Sequence, residues 1–554
     1  MSLHPRPARQ IPEQTARIAW AAFPKSCLAM RIRDELGPLF RDEQFACAFP
    51  RRGGPALSPG QLAMVSVLQF AEGLTDRQAA DAVRGRIDVK YCLGLELDDP
   101  GFDFSVLSEF RDRLIAHGLE ERILDTLLER LSGMGLLRAG GRQRTDSTHV
   151  LAAVRRLNRM EFVGETMRAA LEALAVAAPG WLASMMVPDW SERYQARCEG
   201  YRFPKSDDAR TAWARQVGMD GFTLLEAVHA RSAPPWLREL PAVQVLRKVW
   251  IQQYHRDDKG VRWREGKDLP PGAMRLVTPY DVQARYSIKR GMGWTGYKVH
   301  FSETCEPDAP HVITNVATTA ATVTDTEMTA PIHQALRGRS LLPDEHLVDY
   351  GYTSATLLVQ ARAEYGLDLV GPVRIDVSRQ RRQAPALAQD AFTIDWDARR
   401  VTCPQGHTSA VWSAQQHTVR GVPIVQVFFR RTDCDPCPLR AACTRTTSPR
   451  WGRGLQLLAR PLQEAQDARR REQHTEEFKV RYGVRAGVEG TIFQAVHRSE
   501  IRTSRYIGLS KTHLGHLFTA TALNLVRLNA WWAGQPLGAT RTSHFAKLVL
   551  ARAA

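Results

Sequence analysis

Asp349 stands where two kinds of local structure meet. In HLVDYGYTS (346–354) the apolar pair Leu347 and Val348 precedes it, and Gly351, Thr353, Ser354 and a helix-forming run from Ala355 to Ala361 follow. This predicts an aspartate at the carboxyl end of a strand, where open α/β sheets place ligand-binding and catalytic groups. A plain turn aspartate gives the same local pattern, so the reading depends on whether other carboxylates meet it. GRQRTDSTHV predicts a second strand, ending at Asp146. In RYGVRAGVEG, Tyr482, Arg485 and Glu489 are spaced i, i+3, i+7 and share one face of a helix. Gly483, Gly487 and Gly490 form a second face. Each costs about 1 kcal/mol relative to Ala inside a helix, so a strand, a helix or DNA is expected to approach that backbone closely.

A second chemistry-bearing cluster is sulfur. Cys403, Cys434, Cys437 and Cys443 follow the pattern C-x30-C-x2-C-x5-C, and CDPCPLRAAC has the close turns of a metal knuckle. Four thiolates suit tetrahedral zinc, with His407 as an alternate ligand; an iron–sulfur cluster also fits four cysteines. Zinc is preferred because nothing else here calls for electrons. The site would hold together a β-module too small to bury a large core of its own. Cys27, Cys47, Cys92, Cys198 and Cys305 are scattered and are expected in the core.

Elements to position these residues follow from the pattern of the chain. Residues 1–137 read as a helical domain. Ser58 with Gln61, and Thr75 with Gln78, have capping-box spacing, and the two short helices they start are a candidate DNA-reading helix-turn-helix. Residues 151–279 read as a helical insertion. Strands resume at 294–305, where Tyr297, Val299 and Phe301 alternate with polar neighbours, and at 311–319. A helix capped by Thr324 or Asp325 leads to the strand before Asp349. Residues 386–460, with AFTIDWDARRVTC and VPIVQVFFRRTDC, read as β-hairpins, and THLGHLFTATALNLVRLNAWW as an amphipathic helix. The expected architecture is α/β. A mixed-sheet core is built from 138–150, 280–385 and 461–535, with the helical insertion, the β-rich insertion and a tail at 536–554.

The 554 residues carry a formal net charge of +16, with 11 lysines among 75 basic residues. Such an excess points to a polyanion, nucleic acid by default, and arginine suits bidentate phosphate contacts. A GC-rich coding genome also exchanges Lys for Arg. The opening MSLHPRPARQIPEQ lacks the apolar core of a signal peptide. FVGETMRAALEALAVAAPGWLASMMV is broken by Glu165, Arg168, Glu172 and Pro179, so no membrane span is expected. The expectation is a soluble cytoplasmic protein.

Asp146 in TDSTHV, Asp349 in HLVDYGYT and Glu489 in YGVRAGVEG resemble the three carboxylates of DDE transposases of bacterial insertion sequences. ARYSIKRGMGWTGYKVHFSETC, LLPDEHLVDYGYTSATLLVQ and SRYIGLSKTHLGHLFTATALNLVRL resemble blocks of the branch with a cysteine-bearing insertion between the second Asp and the Glu. The likeness runs from about residue 25 to 535. It implies a ribonuclease-H-like catalytic core and metal-dependent strand cleavage and transfer at terminal inverted repeats. It makes Asp146, Asp349 and Glu489 ligands of two Mg²⁺ ions, with Mn²⁺ as a substitute. It implies a dimer or higher oligomer on paired ends, and double-stranded DNA as repeat and target. Tyr482 and Arg485 match the tyrosine and arginine of a related signature. The lysine that signature places seven residues past the glutamate is Val496 here, followed by His497 and Arg498. Arg285, Lys289, Arg290 and Lys298 are candidate phosphate contacts, and His149 a contact or a packing residue. Trp412 and Trp451 are aromatics without an assigned role. A catalytically inactive DNA-binding derivative and a structure-specific nuclease are the alternative readings.

Overall fold

The computed structural model describes every residue except 1, 8, 200–202, 290, 419–420, 536–544 and 546–554. The chain forms two compact units, one of Met1–Arg138, Asp146–Val323 and Val488 onward, the other of Ala139–Thr145 and Thr324–Gly487. Strand β1 (Arg142–Leu151) contributes its first half to the second unit and its second half to the first.

In the first unit the N-terminal segment is helical, as its spacing predicts. Thr75 and Gln78 form the full capping box for the helix Asp76–Gly85. At Pro59–Glu72 the box is half made. Ser58 accepts from the Gln61 backbone N–H at 3.2 Å, while the Gln61 amide turns away to donate to the Leu93 carbonyl at 3.0 Å. The two helices are tied by Asp76, which accepts from Gln69 at 2.7 Å and from buried Arg111 at 2.5 Å. Burial raises the Asp76 carboxyl; Arg111 and Gln69 outweigh it and hold it below its ordinary value.

The closing helix Leu509–Trp532 differs from expectation: every residue from Leu514 to Leu525 is buried. It packs on β6 (Ile313–Ala320) and on helices Leu28–Leu36, Pro59–Glu72, Ser105–Ala116 and Arg122–Gly133, so that stretch leaves no face for water. Two of its buried polar residues find partners in different ways. Thr521 donates to the Leu517 carbonyl at 2.9 Å, and the Asn524 amide bonds both the N–H and the C=O of Ile313 at 2.7 and 2.9 Å. Among the described residues no helix is long and apolar enough to cross a membrane.

Residues 151–279 build a core of their own from Phe162, Trp190, Leu224, Trp250 and Tyr254. The stretch is not wholly helical: β2 (Tyr254–Asp257) and β3 (Gly260–Trp263) form a hairpin. Tyr254 and Val261 point into the helical core, a period-two pattern too short to stand out in sequence. Then β4 (Arg285–Lys289), β5 (Met292–Thr304) and β6 pair antiparallel, with Tyr297, Val299 and Phe301 inward. The second half of β1 lies beside β5. Gly296, at φ +149°, allows that approach, since a Cβ there would sit 2.2 Å from the Val150 carbonyl oxygen.

In the second unit the first half of β1 pairs parallel with β7 (Glu345–Val348), and β7 with β8 (Asp368–Val370). Thr324 caps the helix Asp325–Gly338 through a box with Glu327, and Ser354 caps Ala355–Tyr365. The β-rich segment holds the hairpin β9 (Thr393–Asp395) and β10 (Arg400–Thr402). It also holds a three-stranded antiparallel sheet of β11 (Val411–Gln416), β12 (Pro423–Arg430) and β13 (Trp451–Leu458). Seven buried residues form its core: Phe392, Val401, Val425, Val427, Phe429, Leu455 and Leu457.

Candidate functional site

The parallel register of β1 and β7 runs Arg142↔Glu345, Gln143↔His346, Arg144↔Leu347, Thr145↔Val348. The next residues along the chain are Asp146 and Asp349. Asp349 ends its strand, as the sequence predicts. It caps the short 3₁₀ turn Tyr350–Tyr352 by accepting from the Gly351 N–H at 2.7 Å. Asp146 corrects the expectation of a strand end. It lies mid-strand, because β1 runs on to Leu151 past its last pair with β7, with β5 as its neighbour on the other edge. It is half-buried and accepts from the Ser147 N–H at 2.7 Å.

The Tyr482–Glu489 segment is not one continuous helix. Glu476–Gly483 ends, a 3₁₀ turn spans Val484–Ala486, and a new helix runs Gly487–Ser499. Tyr482 stacks on Phe478 at 5.5 Å, and Arg485 reaches Asp349 at 4.0 Å. Of the three glycines only Gly487 is closely approached. A Cβ there would lie 2.0 Å from the Arg144 guanidinium, while Gly483 and Gly490 have nothing within 4 Å. The neighbour is therefore a side chain of this chain. Arg144 also donates to the Val484 carbonyl at 2.7 Å, bracing the turn that precedes Glu489.

Ion pairs hold this segment to the strands of the second unit. Arg481 bonds Glu345 of β7 at 2.9 Å and Asp368 of β8 at 2.5 Å. Burial raises the Asp368 carboxyl, but Arg481 and Arg469 together hold it below its ordinary value. In the first unit, Thr491 anchors the helix bearing Glu489. Its hydroxyl donates at 2.5 Å to Glu303, a fully buried carboxylate of β5 that also takes Arg527 at 2.8 Å. Glu489 itself is exposed.

The candidate DNA contacts divide. Lys289, His497 and Arg498 are exposed; the His497 ring lies against Phe493 and bonds its carbonyl at 2.9 Å. Arg285 spends its guanidinium on the carbonyls of Ala273, Val282 and Ala284, and Lys298 bonds the Val323 carbonyl at 2.8 Å. Both hold backbone, a role that charge alone does not reveal. Arg290 lies outside the described residues. His149 is half-buried near Trp294, at 5.7 Å between rings; burial first, then Arg502 and Lys289, lower its pKa.

Cys403, Cys434, Cys437 and Cys443 line one cavity with His407 and Asp433. Cys403 opens a tight turn in which its N–H donates to the His407 carbonyl at 2.9 Å and Gly406 takes φ +82°. Gly452 gives Cys434 its room, since a Cβ there would lie 2.4 Å from the sulfur. Burial raises the Cys434 and Cys443 thiols. Among the described residues no group of three or more His, Cys, Asp or Glu side chains stands in a metal-holding arrangement. The four thiols thus share a cavity without forming a ligand set. Of the other cysteines Cys92, Cys198 and Cys305 are buried, Cys27 is half-buried, and Cys47 is exposed, against expectation. Trp412 meets Trp396 edge-on at 5.3 Å against the module core; Trp451 stacks on Phe428 at 5.8 Å.

Sequence reasoning passed over Arg144, Arg481, Glu303 and Arg527, which position rather than react. One signal was available for the first: alternation in RQRTD places Arg144 on the same strand face as Asp146.

Residues 402–529 match the family described as a transposase DDE domain, and residues 22–113 match a transposase domain (DUF772). The first match takes in Glu489 and the four clustered cysteines. No curated protein and no solved structure matches the chain.

Proposed function

We propose that the chain is a DDE transposase of an insertion sequence, as its two transposase-domain matches support, and that it binds the terminal inverted repeats of its element and catalyses DNA strand cleavage and strand transfer. The reading rests on a ribonuclease-H-like core with Asp146, Asp349 and Glu489 as its catalytic carboxylates. The observation that carries it is the β1/β7 register, in which each aspartate directly follows a residue of the last parallel pair, Thr145 and Val348. Glu489 lies within the matched transposase DDE segment.

The donor chemistry fits Mg²⁺, a hard cation that prefers carboxylate oxygen. Two such ions, held by carboxylates, would supply activation of the attacking water or 3′-hydroxyl and stabilisation of the leaving oxygen. Asp146, Asp349 and Glu489 would supply the carboxylate oxygens to such ions. Arg485, 4.0 Å from Asp349, offsets part of the negative charge. Tyr482, Lys289, His497 and Arg498 are placed on DNA, where phosphate contacts set position and not sequence. The four cysteines share one cavity, and a structural zinc there would have to draw their thiolates together into a tetrahedral set. The protein acts in the cytoplasm, as a dimer or higher oligomer on paired element ends.

The test is a cleavage assay on plasmid DNA carrying the sequence that flanks the gene, with and without Mg²⁺. Metal-dependent cuts at the repeat ends, lost in Asp349→Asn with DNA binding kept, are expected. Equal cutting by the variant would overturn the catalytic assignment. Binding without cutting by the wild-type protein would leave an inactive DNA-binding derivative, and cutting that ignores the ends would point to a structure-specific nuclease.

A further inference from the structure

Beneath the strands that lead to the aspartates runs a buried polar chain that the proposed chemistry does not use. Thr145 Oγ1 lies 2.7 Å from Nε2 of His346, and Nδ1 of His346 lies 2.8 Å from Nε2 of His333. Thr145 and His346 are fully buried, and His333 is 1% exposed. The three residues come from β1, β7 and the helix Asp325–Gly338, all in the second unit. Tyr365 closes the far end, its ring edge-on to His333 at 5.3 Å.

Two features make this more than filler. A buried imidazole that loses its partner leaves an unsatisfied polar group, whereas an apolar side chain in the same space carries no such penalty. The chain is also directional. Each neutral imidazole has one donor and one acceptor nitrogen, so a proton placed on either nitrogen of His346 dictates what Thr145 and His333 must offer. Such a bond pattern tolerates no sliding of β7 along β1, and a one-residue slip would send every side chain to the opposite face. Thr145 and Gln143 share a face with His346 and Val348, so Asp146 and Asp349, one residue on, belong to the other face.

We propose that the Thr145–His346–His333 chain is a positioning device that locks the β1/β7 register and so holds Asp349 at the height on the sheet where it acts. The inference rests on Asp349 being catalytic. Thr145 and the two histidines act through the strand and touch neither DNA nor metal. Their loss is felt in the rate and in the metal requirement, not in DNA affinity.

The test compares Thr145→Val, which keeps the shape and removes the hydroxyl, with Thr145→Ser, which keeps the hydroxyl. Single-turnover cleavage of end DNA is measured against Mg²⁺ concentration, beside DNA binding and Asp349→Asn. Thr145→Val is expected to cleave about tenfold more slowly at saturating DNA, to need several-fold more Mg²⁺ for half-maximal rate, and to bind DNA as wild type. Thr145→Ser is expected to restore both. His333→Gln, which cuts the chain at its helix end, gives the same readout should Thr145→Val fail to fold. Wild-type rate and Mg²⁺ dependence in the folded variant, or a Thr145→Ser protein as impaired as Thr145→Val, would overturn the proposal. Asp349→Asn separates the two ideas: if it cleaves normally the catalytic reading fails, and if it is dead while Thr145→Val is normal only the positioning role fails.

Discussion

The strands leading to the carboxylates and the cysteine module solve the same problem by opposite means. Around β1 and β7, position is set by directional polar contacts: the buried histidine chain on one face, and Arg144 and Arg481 on the other. The cysteine module has a core of seven buried residues and four thiols around a cavity. A core that small stabilises a fold weakly without a staple. The contrast is between strands fixed by hydrogen bonds and ion pairs with defined partners and a module held by a small apolar core.

The comparison can be broken at several points. The largest effect is expected from chelation: if zinc staples the module, EDTA treatment followed by limited proteolysis cuts first within residues 386–460 and leaves the strands around β1 protected. Uniform resistance would show that the small core suffices. Next comes the buried ion pair in the first unit. Arg527→Ala leaves the Glu303 carboxylate buried without its cation and is expected to cost about 3–5 kcal/mol in chemical denaturation. A cost under about 1 kcal/mol would mean that water reaches Glu303 as readily as it reaches a surface pair.

Acid sharpens the contrast at a smaller scale. Burial lowers the His346 pKa well below its ordinary value and that of His333 to about 4. The unfolded chain therefore binds more protons than the native one below the ordinary histidine value of about 6.5. The stability of the second unit is complete above that pH and falls as pH drops from about 6.5 toward 4. Asp368, with its depressed carboxyl, adds a further loss at still lower pH, below its unfolded value of about 3.9. A denaturation midpoint flat from pH 7 to about 4 would remove the histidines from the account. The smallest effect is expected at the surface: Thr75→Ala removes one helix cap and costs about 1 kcal/mol.

Much of this was legible in the chain. Alternation in Tyr297, Val299 and Phe301 marked an inward strand face, Thr324 with Glu327 marked a helix start, and the knuckle CDPCPLRAAC gathered its cysteines with distant Cys403. These signals are local: a side-chain period, a cap and a tight turn each show within a few residues of sequence. Where the sequence misled, the cause was distance along the chain. The Leu509–Trp532 helix shows an amphipathic pattern, yet its middle turns are covered on all sides by a strand and helices hundreds of residues away. Asp146 ends no strand because β1 finds a second partner in β5, nearly 150 residues on, through the opening left by Gly296.

By itself, then, the sequence determined residue chemistry and local shape: three carboxylates, four thiols, and the turns and periods that set each in its element. Tertiary structure alone decided which polar groups meet. Arg144 against Gly487, Glu303 with Arg527, and His346 between Thr145 and His333 join residues up to several hundred positions apart. No local propensity encodes such pairings. They form because burying a polar group is tolerable only where folding supplies its partner.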